Sequence, residues 1–350
     1  MLFAIASSAI VFMAIGCGGG SSTPIAQASL WQQQGATYTG RVACRDCHAN
    51  IYDQYAQQPM GNMTNYADTR HTQAANCNGC HVTGFGEPTG GMLNGSTPHL
   101  DGVGCESCHG PGSKHIAAST TAERKKQITR VPPDKTCMDC HGDRKSTPDG
   151  YRPGALNEPF TQVTSDSFRE TNPGSVRGPH YPPAAFLLGR KGFEHTQASP
   201  SPHSTLPNTC LNCHQKNISG ATGKVDHGEF AQVPNTDTSR PECASCHGGG
   251  RTSGQLVQTA INAMLIELAG EDSANPGHYD SSTAGGLLGA YAATHSIALS
   301  SNNDKDNPRV IAYKAARYNI RYVISDHSLG VHNPAFAKRL LEEAKALLQQ

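Results

Sequence analysis

The sequence predicts a mostly α-helical and irregular fold with few or no strands, organised around something other than an ordinary apolar core. Three observations predict it. Only 36% of the 350 residues are hydrophobic, while glycine and proline supply 37 and 22 of them, an excess of loop-forming residues. Twelve of the thirteen cysteines fall in six Cys-x-x-Cys-His motifs. Beyond residue 250, apolar side chains recur every three or four positions, the helical period, and no strand-rich stretch competes with them.

The motifs are Cys44/Cys47/His48, Cys77/Cys80/His81, Cys105/Cys108/His109, Cys137/Cys140/His141, Cys210/Cys213/His214 and Cys243/Cys246/His247. Cys-x-x-Cys-His is the covalent attachment signature of c-type haem. Two thiols three positions apart reach the two vinyl groups on one porphyrin edge, and the adjacent imidazole ligates the iron. Zinc ribbons need no histidine after every cysteine pair, and a thioredoxin-like motif occurs once, in a βαβ setting. Six haem c are therefore the expected cofactors, with the twelve motif cysteines holding them covalently and His48, His81, His109, His141, His214 and His247 as proximal iron ligands. Porphyrins also supply the missing apolar surface, so the expected fold is polypeptide wrapped around stacked haems, with loading coupled to folding.

The chain divides as follows. Residues 1 to 16 are apolar, too short to span a bilayer and end in a small residue, which reads as a secretory signal peptide. Ala14-Ile15-Gly16-Cys17 resembles a bacterial lipoprotein cleavage box, with Cys17 as the lipidated residue and residues 17 to 36 as a Gly/Ser-rich tether. Against this, the leader has no Lys or Arg, and the lesser alternative is that Cys17 is an unpaired cysteine inside a discarded leader. Residues 37 to 145 carry four motifs and residues 201 to 250 carry two. Residues 146 to 200, rich in Pro and Gly, lack a motif, but Phe160, Phe168, Phe186, Leu187 and Leu188 predict an ordered segment packing on the haems.

Residues 251 to 350 form the helical region. A first helix carries Leu256, Val257, Ala260, Ile261, Met264, Leu265 and Leu268 and stops at Gly270. A second is expected over Gly286 to Leu299 and a third over Arg309 to Ile324, with Ile311, Ala315, Tyr318 and Tyr322 on one face. The last starts at Asn333 as N-cap with Pro334 in its first turn.

Acidic and basic residues balance at 28 each, which argues against a nucleic-acid partner. Haem propionates would make the loaded protein more acidic than the polypeptide. Seventeen histidines leave eleven outside the motifs, enough to fill a sixth position on every iron and have some to spare. A filled sixth position means electron transfer; an open one means chemistry on a substrate.

Two stretches carry a family resemblance. Gly104-Cys105-Glu106-Ser107-Cys108-His109-Gly110-Pro111-Gly112-Ser113-Lys114-His115 resembles the signature of the cytochrome c554-like branch of the multihaem cytochromes. Gly330-Val331-His332-Asn333-Pro334, followed by an apolar helix, is similar to the closing motif of cytochromes related to the pentahaem nitrite reductases. The resemblance implies that His115 and His332 are distal ligands to haems bound elsewhere in sequence. Three further stretches similar to ligand-bearing segments point to His180, His203 and His227. For the first haem, Met60 in Gln58-Pro59-Met60-Gly61 stands where the family usually has a histidine. Its thioether would raise the potential, unless it is simply an adaptable packing side chain. Met60, His115, His180, His203, His227 and His332 thus make six distal ligands, with His99 in reserve. His71, His195, His278, His295 and His327 are expected at the surface or behind the ligands, with His71 and His195 as substitutes for a weaker member of the six.

The expected function is electron transfer along closely spaced haems in an exported protein of the periplasm, outer membrane or cell exterior, working with other redox proteins. A subunit of a cytochrome filament is physically close to this. The alternative is a reductase or oxidase of a small nitrogen or sulfur compound at one open haem. The nitrite reductases commonly carry a lysine in place of one motif histidine, and all six motifs here end in histidine.

Overall fold

The computed structural model describes residues 35–58, 60–61, 80–92, 96–128, 133–142, 162–207, 209–214, 227, 247 and 251–350. Cys17, His71, Cys77, Phe160, Cys243 and Cys246, with the leader and almost all of the tether, lie outside the described residues. The fold is mostly helical and irregular. Among the described residues, extended pairing is confined to isolated bridges, Val82 with Asp101 and Gly102, Val163 with Phe193, and Glu271 with Tyr279.

Helices carry the first, third and fourth motifs. Helix α1 spans Val42–Ala56 and buries none of its side chains in protein; its helical course breaks at the motif histidine His48 (φ −127°, ψ 38°). Helices α2 (Cys105–His109), α3 (Ser113–Ala117) and α4 (Thr121–Lys126) follow, and α5 (Pro133–His141) carries the fourth motif. These segments have little apolar core of their own and are pinned by specific polar contacts. Tyr55 at the end of α1 donates its hydroxyl to the Val103 carbonyl at 2.9 Å. Gly40 needs its positive φ of +82°, and a Cβ there would meet the His99 carbonyl oxygen at 2.7 Å.

The large core lies at the other end of the chain. It is built by α6 (Pro183–Leu187), α7 (Arg251–Ala269), α8 (Gly286–Thr294), α9 (Pro308–Ser325) and α10 (Pro334–Leu348). Helix α7 ends as expected, with Gly270 at φ +95°. Helix α8 stops at Thr294 rather than Leu299, because Ser296 turns to φ +51° and the Ile297 amide closes back onto the Ala292 carbonyl at 2.9 Å. Helix α9 begins at an Asn307 cap, and α10 at Asn333, whose side-chain oxygen accepts from the Phe336 amide at 3.2 Å.

The Pro/Gly-rich segment belongs to this core. Phe168, Val176 and Phe186 are buried in the same apolar cluster as α7 to α10, while Ala184 and Leu187 pack on Met138 of the fourth motif. It therefore wedges between the helical region and a haem motif. Helix α9 is buried almost all round, including Lys314, Arg317 and Asn319. The wedge pairs Lys314, Arg317 and the Asn319 side-chain oxygen, while the Asn319 amide nitrogen is left without a partner. Arg317 Nε donates to the Val176 carbonyl at 3.0 Å and Nη2 to Gly174 at 2.9 Å; Lys314 donates to Arg169 at 3.0 Å. Unpaired, each would cost several kcal/mol on the order of a desolvated charge.

Candidate haem sites

Four pairs of imidazole rings stand opposite one another at nearly one separation. His48 and His115 have ring centres 6.2 Å apart and planes 19° from parallel. His109 and His227 are 6.2 Å apart, His203 and His247 6.0 Å, and His214 and His332 6.0 Å. Each pair joins one motif histidine to one histidine outside the motifs. An imidazole nitrogen binds a first-row metal at about 2 Å, and that nitrogen lies on the order of 1 Å from its ring centre, so two imidazoles on opposite sides of one ion have centres about 6 Å apart. The residues present thus fit a haem iron between each pair.

Local structure sets these rings. His115 stands on α3, and its Nδ1 is 2.8 Å from the carbonyl of Arg124 on α4, which turns Nε2 outward. His332 lies in the turn between α9 and α10. Its Nδ1 is 2.7 Å from Asp326, which is fully buried, and the Ser328 hydroxyl bonds the other carboxylate oxygen. Such partners fix the tautomer and ring orientation of a metal-binding histidine. Burial, with the charge of His332 nearby, pushes His141 down to about 4, and burial with His332 and His141 does the same to His214. Both are neutral at neutral pH, the form that ligates a metal.

Motifs distant in sequence meet in space. The Cys44 thiol is pushed up by its hydrogen bond with Cys105 and by burial, and Cys137 likewise by Cys210. Cys80 Sγ lies 3.9 Å from the Cys140 carbonyl, and Cys108 is within electrostatic reach of Cys137. The first motif therefore adjoins the third, the third the fourth, the fourth both the second and the fifth. His203, facing the sixth motif's His247, is within electrostatic reach of His332.

The thiols expected to hold haem differ in exposure, and Cys47 and Cys213 stand at one end of the range. These second cysteines of the first and fifth motifs are exposed, as is Cys140, whereas Cys44, Cys80, Cys105, Cys108, Cys137 and Cys210 are half-buried. The physical reason lies in how the motifs meet. Cys44 is covered by Cys105 and Cys210 by Cys137, and the second thiol of each motif stands three residues further along, beyond that cover. The attachment role of Cys47 and Cys213 therefore rests on the motif spacing and not on burial.

Of the six residues expected as distal ligands, His115, His203, His227 and His332 are each brought opposite a motif histidine. His180 stands elsewhere, 6.4 Å from Tyr181, whose ring is 5.4 Å from His141 and 5.0 Å from His327. The ring stacked on His48 is that of His115, while Met60 lies just before Gly61, whose carbonyl takes a hydrogen bond from Arg41. His99, exposed, packs against Gly40. His195 is buried among α10 side chains, with Nε2 2.8 Å from Glu343. Sequence reasoning missed Asp326 and Tyr181. Neither has a spacing signal beyond lying near a candidate histidine.

Residues 43–110 match the family described as cytochrome c554 and c-prime. The cytochrome c-554 of Nitrosomonas europaea is 57% identical over a 93-residue alignment covering 22% of this chain and 40% of that relative. In this motif-bearing part the chain resembles the multihaem c-type cytochromes. The match spans less than half the length of its curated relative. The chain also superposes in part on an undecahaem cytochrome from the S-layer of Carboxydothermus ferrireducens, at 16% identity and TM-score 0.49 over 89% of this chain and 45% of that one. A cytochrome c nitrite reductase from Desulfovibrio desulfuricans gives 15% identity and TM-score 0.42 over 79% of this chain and 64% of that one.

Proposed function

We propose that the chain is a hexahaem electron conduit in which most irons are held between two imidazoles. The observation that carries this is the set of four histidine pairs at 6.0 to 6.2 Å. Bound haem supplies the ferric/ferrous couple. The chain supplies the rest. His48 and His115, His109 and His227, His203 and His247, and His214 and His332 would each hold a haem iron between them and so exclude substrate from the metal. With His115 opposite His48, Met60 has no place on the first iron. The twelve motif cysteines, the exposed Cys47 and Cys213 among them, hold the porphyrin edges, and the contacts between motifs keep neighbouring haems close enough for electrons to pass.

Export through the 1 to 16 leader, an anchor at Cys17, a four-haem module over 37 to 145, a two-haem module over 201 to 250, self-association into a filament and exchange with other cytochromes at the periplasmic or outer face complete the proposal. A second reading has one observation in its favour. Tyr181, whose ring is 5.4 Å from His141, and His327, 5.0 Å from Tyr181, both adopt positive φ, 47° and 59°. Strained side-chain-bearing residues collect where a site over-determines them. Tyr181, His180 and His327 would then face a substrate at an open fourth haem, as in a reductase or oxidase of a small nitrogen or sulfur compound.

Carbon monoxide added to the reduced protein separates the two. The conduit binds none and shows a wholly low-spin ferric spectrum. One equivalent bound per chain, altered by Tyr181→Phe, supports the open fourth haem and overturns the closed conduit.

A further inference from the structure

The imidazoles outside the motifs differ in what takes their second proton. His115 gives Nδ1 to a neutral backbone carbonyl, that of Arg124, at 2.8 Å. His332 gives Nδ1 to the Asp326 carboxylate at 2.7 Å. Asp326 is 1% exposed and forms the C-cap of α9. Both placements are unfavourable for an anion, since burial strips its water and the C-terminal end of a helix is already negative. Its donors are the Ser328 hydroxyl and His332. A carboxylate kept at such a place acts most strongly on the ring it faces.

We infer that Asp326 is a tuning residue that makes the haem held by His214 and His332 more reducing than the haem held by His48 and His115. The inference rests on the axial-pair reading above. A carboxylate accepting the Nδ1 proton raises the basicity of Nε2, and its charge favours the ferric iron; both effects lower the potential. A neutral carbonyl does this more weakly. The fifth motif touches the fourth through Cys137 and Cys210, and His332 is within electrostatic reach of His203, which faces the sixth motif. A low-potential haem there is an uphill step between the four-haem group and the last haem, so electrons collect on the first group before crossing.

Redox titration of the haem-loaded protein, followed in the visible α-band with EPR of the oxidised form, tests this. Asp326→Asn moves one haem's share of the titration to higher potential and leaves the low-spin count unchanged. Ser328→Ala frees the carboxylate for His332 and moves the same share the opposite way, so its sign decides the matter if the asparagine variant fails to load. Midpoints unmoved in the variants that load, or a shift of reversed sign, overturn the inference. His332→Ala tests the ligand reading separately, by opening one haem to carbon monoxide. No such binding overturns the axial pairing itself; binding together with unmoved midpoints in the other variants overturns the tuning alone.

Discussion

Glu106 sits between the two cysteines of the third motif and is 3% exposed. Its carboxylate accepts from the Thr39 amide at 3.0 Å, the Gly40 amide at 2.8 Å and the Gly112 amide at 2.7 Å. The side chain therefore clasps the entry to α1 and the loop before His115 onto one motif. Each buried donor left unpaired costs about 1 to 3 kcal/mol. Glu106→Ala is expected to lower the thermal midpoint of the loaded protein by several degrees and reduce haem yield at the first and third motifs, measured by scanning calorimetry and peptide mass mapping. At the ligands, His115→Ala is expected to convert one haem to a high-spin, carbon-monoxide-binding form, whereas Met60→Ala leaves the low-spin spectrum intact. A methionine charge-transfer band lost in Met60→Ala would reverse that assignment. The motif cysteines and histidines were legible from spacing alone, because the spacing is the chemistry. Which histidine faces which was not, since His48 and His115 are joined by folding and by nothing in the local sequence. Nor does spacing tell that Cys44 and Cys210 are half-buried while Cys47 and Cys213 are exposed, a difference set by which motif packs alongside.

Helix starts were legible where a cap announces them, as at Asn307 and Asn333, and the stop of α7 where Gly270 supplies it. Burial around the whole of α9 was not. Its Lys314, Arg317 and Asn319 lie off the apolar face of Ile311, Ala315, Tyr318 and Tyr322, and the carbonyls of Arg169, Gly174 and Val176 and the Phe193 amide, more than a hundred residues away, join Asn302 and Thr283 in making them core residues. The same segment is tied to α10 by His195 and Glu343. Burial raises the pKa of Glu343, but hydrogen bonds from His195 and Arg339 outweigh it and leave the carboxyl below its usual value. A depressed folded pKa contributes stability above the unfolded value, about 4.3 for Glu, and loses it as pH falls through the folded one. The thermal midpoint of the loaded protein is thus expected to drop on acidification through the carboxylate range, and Glu343→Gln to flatten that dependence while lowering the midpoint at neutral pH. A slope unchanged in the variant would contradict this role.

Across the whole molecule, two kinds of order coexist. The helical region from α7 to α10, with residues 162 to 207 wedged against it, is an ordinary apolar core. Among the described residues the motif-bearing half has little of one; polar clasps hold it, and on the proposed reading bound porphyrin supplies its apolar interior. Low hydrophobic content and abundant Gly and Pro already pointed to this division, but not to the sharing of one core by segments separated by a haem motif pair. The central claim is that imidazoles face each other across irons in a row of haems. Near-infrared magnetic circular dichroism of the fully oxidised protein, normalised to covalently bound haem, measures it directly. The account predicts six haems per chain, with at least four carrying the bis-imidazole low-spin signature. Fewer than six haems, or a spectrum dominated by high-spin iron, would contradict it.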